Sequence, residues 1–122
     1  NDMDQIFLLA PTSTDQRIQH VVNQASGFVY YVSLKGVTGA ATLDTAEAAA
    51  RIAKIKSKTN VPVGVGFGIS DAASAKAMGQ VADAVIVGSA FVKNFASLPA
   101  DEATQKTVEK VKELRAALDE LS

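Results

Sequence analysis

Two periodicities take turns along this chain. Residues 5–10 (QIFLLA) form a short continuous apolar run, which predicts a strand buried on both faces. Pro11 ends it. Ile18, Val21, Val22 and Ala25 then recur at helical spacing behind Ser13 and Gln16, a pair at capping-box distance, and Ser26 and Gly27 close the segment. Residues 28–33 (FVYYVS), aromatic and β-branched, predict a second strand. A loop over 34–42 leads to a second helix, in which Asp44 and Glu47 repeat the cap spacing and Ala48, Ile52 and Ile55 share one face. Lys54, Lys56 and Lys58 crowd its last turns, where cations favour the helix dipole. Residues 61–67 predict a third strand, followed by a helix from about Asp71 to Met78 with Gly79 as its stop signal. Residues 84–87 predict a fourth strand, after which Gly88 and Ser89 open a short helix running through Phe95. Beyond Pro99 and a capping Asp101, a long final helix carries the stripe Val108, Val111, Leu114, Leu118 and Leu121.

Four consecutive strand–helix units, undivided by any proline- or serine-rich linker, predict an α/β fold with parallel strands and right-handed crossovers. The repeat is short for a doubly wound sheet and ordinary for a (β/α)8 barrel, whose eight units take ~250 residues. The expected architecture over residues 1–122 is therefore a single (β/α)4 half of a TIM-type barrel. Its first and last strands lack neighbours, which predicts completion by self-association or by a complementary half. Position 1 is Asn and a strand follows within a few residues, so an upstream segment or a longer parent chain is expected.

Composition narrows the partners. A net charge of −1 gives no electrostatic ground for nucleic acid or an anionic membrane. No apolar run approaches the ~18–20 residues of a membrane span, and no basic–apolar leader opens the chain. With no cysteine, disulfides and thiolate metal sites are excluded, which is compatible with a reducing cytoplasm.

The candidate chemistry is glycine-centred. Gly66 and Gly68 fall at the end of the third strand and Gly88 with Ser89 at the end of the fourth. In a parallel barrel these ends lie side by side on the face that carries active sites, and a helix starting at Ser89 aims free N–H groups at an anion. Glycines also make tight turns and permit close helix–strand packing, and for either segment alone that is an even alternative. Together on neighbouring strands they point to a phosphate site. The glycine-hinged loop with Lys35, Gly36, Val37 and Thr38 reads as an ordinary solvated loop or as a lid that excludes water; Lys35 reads best as a solvated lysine. Tyr30 and Tyr31 must point to opposite faces of their strand, one of them toward the barrel interior. His20 sits mid-helix beside the apolar stripe, a surface or packing position. Asp44, Asp71 and Asp101 read as caps, and Asp83 precedes the fourth strand at the end opposite the site. No acid–base pair, metal cluster or nucleophile–base arrangement emerges.

The segments 6–13 (IFLLAPTS), 26–40 (SGFVYYVSLKGVTGA), 61–70 (VPVGVGFGIS) and 88–93 (GSAFVK) together resemble the tryptophan synthase α subunit, in the order and spacing of its second half. The resemblance implies a (β/α)8 barrel cleaving indole-3-glycerol phosphate to indole and glyceraldehyde 3-phosphate. It places phosphate contacts on Gly39, Gly68, Gly88 and Ser89, with Gly66 and Phe67 in the same loop. It makes Tyr30 and Phe67 pocket residues and Thr38 the lid threonine. The family's two catalytic carboxylates belong to barrel regions that this sequence does not contain, so the chain alone is expected to be inactive. No cofactor is implied for it; the family's pyridoxal phosphate belongs to the partner β subunit. The competing readings are a catalytically empty phosphate-binding module, a structural or self-assembling half-barrel, and another phosphate barrel enzyme, which leaves KGVTGA unexplained.

Overall fold

The computed structural model describes residues 2–32, 45–66 and 68–121. Its strands are β1 (Phe7–Leu9), β2 (Val29–Val32), β3 (Val63–Gly66) and β4 (Ala84–Ile86). Helices α1 (Asp15–Gln24), α2 (Thr45–Lys56), α3 (Ala72–Gly79), α4 (Ser89–Ser97) and α5 (Ala100–Asp119) follow them. The strands form one parallel sheet in the order β1-β2-β3-β4, each beside its sequence neighbour, as consecutive β/α units require.

Period-2 alternation divides the sheet into two unlike faces. Leu9, Val29, Tyr31, Val63 and Val65 pack with Ile18 and Val21 of α1, Ile52 and Ile55 of α2, Met78 of α3 and Leu114 of α5 in a single core. Every described helix therefore lies on the same side, with Phe91 of α4 packed against that core. Each fully buried Ile or Val contributes about 1.5–3 kcal/mol there. The other face carries Leu8, Tyr30, Gly64 and Ala84 in one register row and Val32, Gly66 and Ile86 in the next. No described helix covers it, and Leu8 is 57% exposed. The apolar run of β1 is thus buried on one face, not both. A continuous apolar run reports that both faces are destined for cover, not that the cover lies within the same chain.

Several local expectations are corrected. Thr14, not Ser13, caps α1, its hydroxyl accepting from the Arg17 N–H at 3.1 Å, while the Ser13 hydroxyl accepts from the Ala10 N–H at 2.9 Å. Gly79 is the last residue of α3 rather than a left-handed stop, and the chain leaves through Gln80 in right-handed conformation. Its lack of a side chain serves packing, since a Cβ there would lie 2.5 Å from Leu118 Cδ2 and 2.9 Å from Leu121 Cδ1. Asp101 lies inside the first turn of α5, whose cap position is Pro99. Along α5, Leu114 is buried, but Val108 and Val111 are 47% and 49% exposed, and the helix buries Ala103 and Ala117 instead. The cap reading of Asp44 lies outside the described residues.

Candidate functional site

β3 and β4 run parallel, with Gly66 opposite Ile86, so Gly68 and Gly88 each lie two residues beyond that last pair at the same end of the sheet. The two turns there differ in chemistry. After β3, Gly68 turns the chain with φ +79°, a conformation that side-chain-bearing residues rarely adopt. The following helix, α3, is closed by its own side chains. Asp71 accepts from the Ser74 N–H at 2.8 Å, and the Ser74 hydroxyl accepts from the Asp71 N–H at 3.2 Å. That donation from Ser74 holds the Asp71 carboxyl below its ordinary range. After β4 no such cap exists. Gly88 occupies the N-cap position of α4 with no side-chain hydrogen bond, and its carbonyl accepts from the Phe91 and Val92 N–H groups. The first-turn N–H groups of Ser89 and Ala90, at the positive end of the helix, thus meet no capping side chain. Gly88 and Ser89 are exposed, and a Cβ at Gly88 would meet nothing within 4 Å.

Gly66 has a different surrounding. It is buried, and a Cβ built on it would fall 2.2 Å from the Tyr30 hydroxyl oxygen and 2.7 Å from Cζ. The Tyr30 ring therefore lies across the bare backbone of β3 on the open face, with its hydroxyl toward the end where Gly68 and Gly88 sit. Tyr31 turns the other way and is 1% exposed in the core. So Tyr30 is the tyrosine on the face that becomes a barrel interior. The glycine alternation of VGVG was the sequence signal for this seat: Tyr30 shares a register row with Gly64, and its hydroxyl reaches the next glycine on that face, Gly66. Leu8, beside Tyr30, and Ile86, beside Gly66, which sequence reasoning did not single out, share the same open face. They could have been found by assigning strand parity to all four strands together.

Phe67, Gly39 and the lid residues Lys35, Gly36, Val37 and Thr38 lie outside the described residues. His20 is exposed on α1. Asp83 stands before β4, at the opposite end, where its carboxylate accepts from the Val63 N–H at 2.9 Å and pairs with Lys56 at 3.1 Å. Among the described residues no group of His, Cys, Asp or Glu could hold a metal ion, and no carboxylate stands at the C-terminal end of a strand except the capping Asp71. Two clefts of about 390 and 300 Å³ flank β4 on its helix side, lined by Val85, Leu118 and Arg115 among others, away from the glycine turns. Among the described residues no helix is long and apolar enough to cross a membrane.

The chain resembles known proteins, in sequence and in backbone, over nearly the whole of its own length. The chain is 88% identical over 121 residues to the tryptophan synthase alpha chain of Acinetobacter baumannii, a match covering 99% of this chain and 45% of that one. Its backbone superposes on tryptophan synthase from M. tuberculosis with TM-score 0.74 at 33% identity, covering 95% of this chain and 41% of that one. On the tryptophan synthase A-subunit of Pyrococcus furiosus the TM-score is 0.76 at 33% identity, over 93% and 45% of the two chains. These neighbours are (β/α)8 barrels, of which the four parallel units here form a part. The family model for the tryptophan synthase alpha chain matches residues 1–121, and with the whole described fold running inside that match, the chain belongs to the tryptophan synthase alpha chain family, spanning about 45% of its curated relatives' length.

Proposed function

We propose that this chain is the phosphate-holding, C-terminal half of a lyase that splits indole-3-glycerol phosphate into indole and glyceraldehyde 3-phosphate in tryptophan biosynthesis. The carrying observation is the contrast between the capped α3 and the uncapped α4 at neighbouring strand ends. Gly68 keeps side chains out of the way, and the Gly88, Ser89 and Ala90 N–H groups face the phosphate. By the family resemblance Gly39 is a further phosphate contact, Lys35, Gly36, Val37 and Thr38 belong to the lid and Phe67 to the pocket, all outside the described residues. Tyr30, Leu8 and Ile86 supply an apolar wall for the indole ring. Gly66 acts as the seat of Tyr30.

Breaking the carbon–carbon bond requires a group that moves a proton and one that steadies charge on the indole, and no described residue at the strand ends offers either. Phosphate affinity is the same in ground and transition states, so this half binds without accelerating. The chain alone should release no indole from indole-3-glycerol phosphate. No described strand pairs with the outer edge of β1 or β4, and Val92 and Phe95 on α4 are 66% and 56% exposed, which favours association with a complementary half or a second copy. In the completed protein a β subunit carrying pyridoxal phosphate is the partner, and the cytoplasm the compartment.

Titration of inorganic phosphate followed by backbone NMR tests the reading. Shifts concentrated at Gly68 and residues 88–90 support it; shifts spread over surface lysines, or none, overturn it. Native mass, alone and with the remaining portion of the Acinetobacter baumannii relative, tests association. A monodisperse monomer in both samples contradicts that part.

A further inference from the structure

We infer that Phe28 sets how deep the aromatic ring of the substrate descends along the open face, with Gly64 and Ile86 completing a floor; this rests on the function proposed above. β3 reads Val-Gly-Val-Gly, and its two glycines occupy the open face one register step apart. The upper one, Gly66, lies under Tyr30. The lower one, Gly64, is covered from both sides. From the β2 side, Phe28 Cδ2 and Cε2 stand 3.5 and 3.6 Å from where a Gly64 Cβ would be. From the β4 side, Ile86 Cδ1 stands 3.1 Å from the same point.

Two apolar side chains thus meet over a backbone that contributes no side chain of its own. A ring entering from the glycine-turn end passes the Tyr30 hydroxyl and comes to rest on Phe28 and Ile86. Every side-chain atom of that floor is carbon, so it selects by shape and offers no hydrogen bond. Phe28 is half-buried beside β3, so part of its surface stays uncovered. Gly64 matters because any side chain there would press first on Ile86 and then on the Phe28 ring, raising the floor. Phe28 is accordingly a specificity-determining residue rather than a catalytic one.

The test places this sequence in the full-length Acinetobacter baumannii relative, replacing the matching segment. Indole and indoles methylated singly on each carbon of the six-membered ring are titrated as ligands. Phe28→Leu lowers the floor, so at least one methylindole should gain about fourfold or more over indole, the worth of one buried methyl group. Gly64→Ala raises it, so the same compound should lose by a similar factor. If Phe28→Leu does not fold, the Gly64→Ala arm carries the comparison alone. Ratios within twofold of the parent in folded variants overturn the inference. A hybrid without substitutions that fails to cleave indole-3-glycerol phosphate overturns the functional reading beneath it instead.

Discussion

Asp83 ties three elements together at the end of the sheet away from the glycine turns, and its removal should separate a lost acceptor from a lost charge. One carboxylate oxygen accepts from the Val63 N–H at 2.9 Å and the other from Lys56 Nζ at 3.1 Å, while the Asp83 N–H donates to the Val63 carbonyl at 2.9 Å. Val63 opens β3 and is fully buried, so Asp83→Ala leaves a strand donor without its partner, a loss of about 1–3 kcal/mol. The Lys56 pair adds little, about 0.5 kcal/mol, because both side chains are some 40% exposed. Asp83→Asn keeps an acceptor and gives up the charge, so it should cost roughly 1 kcal/mol, less than alanine. Urea unfolding of the three proteins measures the order. Equal losses for Asn and Ala would refute the reasoning, because the charge alone would then carry the effect.

The same contact predicts a pH dependence. The Val63 N–H holds the Asp83 carboxyl below its ordinary value near 3.8; burial opposes it less strongly, and Lys56 adds a lesser lowering. A depressed folded-state pKa means that the unfolded chain binds the proton more readily. This stability is present above the unfolded pKa and is lost as pH falls through the folded one. Asp83→Asn should therefore flatten the acid limb of the stability curve below about pH 4, and an unchanged acid limb would count against the contact.

Three further substitutions read the glycines. Gly66→Ala should cost about 1–3 kcal/mol by driving the Tyr30 ring off its seat, and a double-mutant cycle should recover most of that loss in a Tyr30→Leu background. Gly79→Ala sets a helix-propensity gain of up to ~1 kcal/mol against overpacking on Leu118 and Leu121; the net should be destabilising by about 1 kcal/mol and should turn stabilising when Leu118 is also alanine. Gly88→Asp meets no atom and has an ordinary negative φ, so thermal unfolding should shift by no more than ~0.5 kcal/mol. The same variant should lose phosphate binding in an NMR titration, because the new carboxylate faces the bound anion.

The order and kind of elements were legible because each helix writes its buried face as a 3.6 period: Ile18, Val21 and Val22, then Ala48, Ile52 and Ile55, all lie in the core. The misreadings share a cause. Thr12, Ser13 and Thr14 offer three adjacent hydroxyls, and which one caps α1 is decided by where β1 delivers the backbone, not by spacing alone. Val108 and Val111 sit on the same helical stripe as Leu114, yet both are about half exposed, Val111 at the rim of the cleft beside β4. Periodicity marks a face that wants cover; it does not name the cover. At the site, glycine identity gave the positions and not the roles. Gly68 turns the chain, Gly88 leaves a helix uncapped, Gly66 seats a tyrosine and Gly79 admits two leucines.

Those four roles bear on why the proposed binding site falls at one end of the sheet. The other end is tied by side chains, with Asp83 on Val63 and Lys56. At the glycine-turn end the sequence shows that it can cap a helix, since Asp71 and Ser74 close α3 with reciprocal hydrogen bonds. One strand further on it places Gly88 instead, forgoing only the few tenths of a kcal/mol by which a good side-chain cap exceeds glycine. A capping oxygen at that position would occupy the same N–H groups that an anion needs. Stability and binding therefore compete for one set of donors, and α3 and α4 resolve the competition in opposite directions. On the function proposed above, the uncapped start of α4 is a site left open for a ligand; α5 also starts without a side-chain cap, so the phosphate dependence of stability is the discriminating observation. A bound phosphate should restore the missing stabilisation, raising the unfolding midpoint as its concentration rises past the Kd. Gly88→Asp should remove that dependence while raising the phosphate-free midpoint only by the few tenths of a kcal/mol that separate aspartate from glycine at a cap. A midpoint that rises with phosphate equally in both proteins would place the anion elsewhere and undo the assignment.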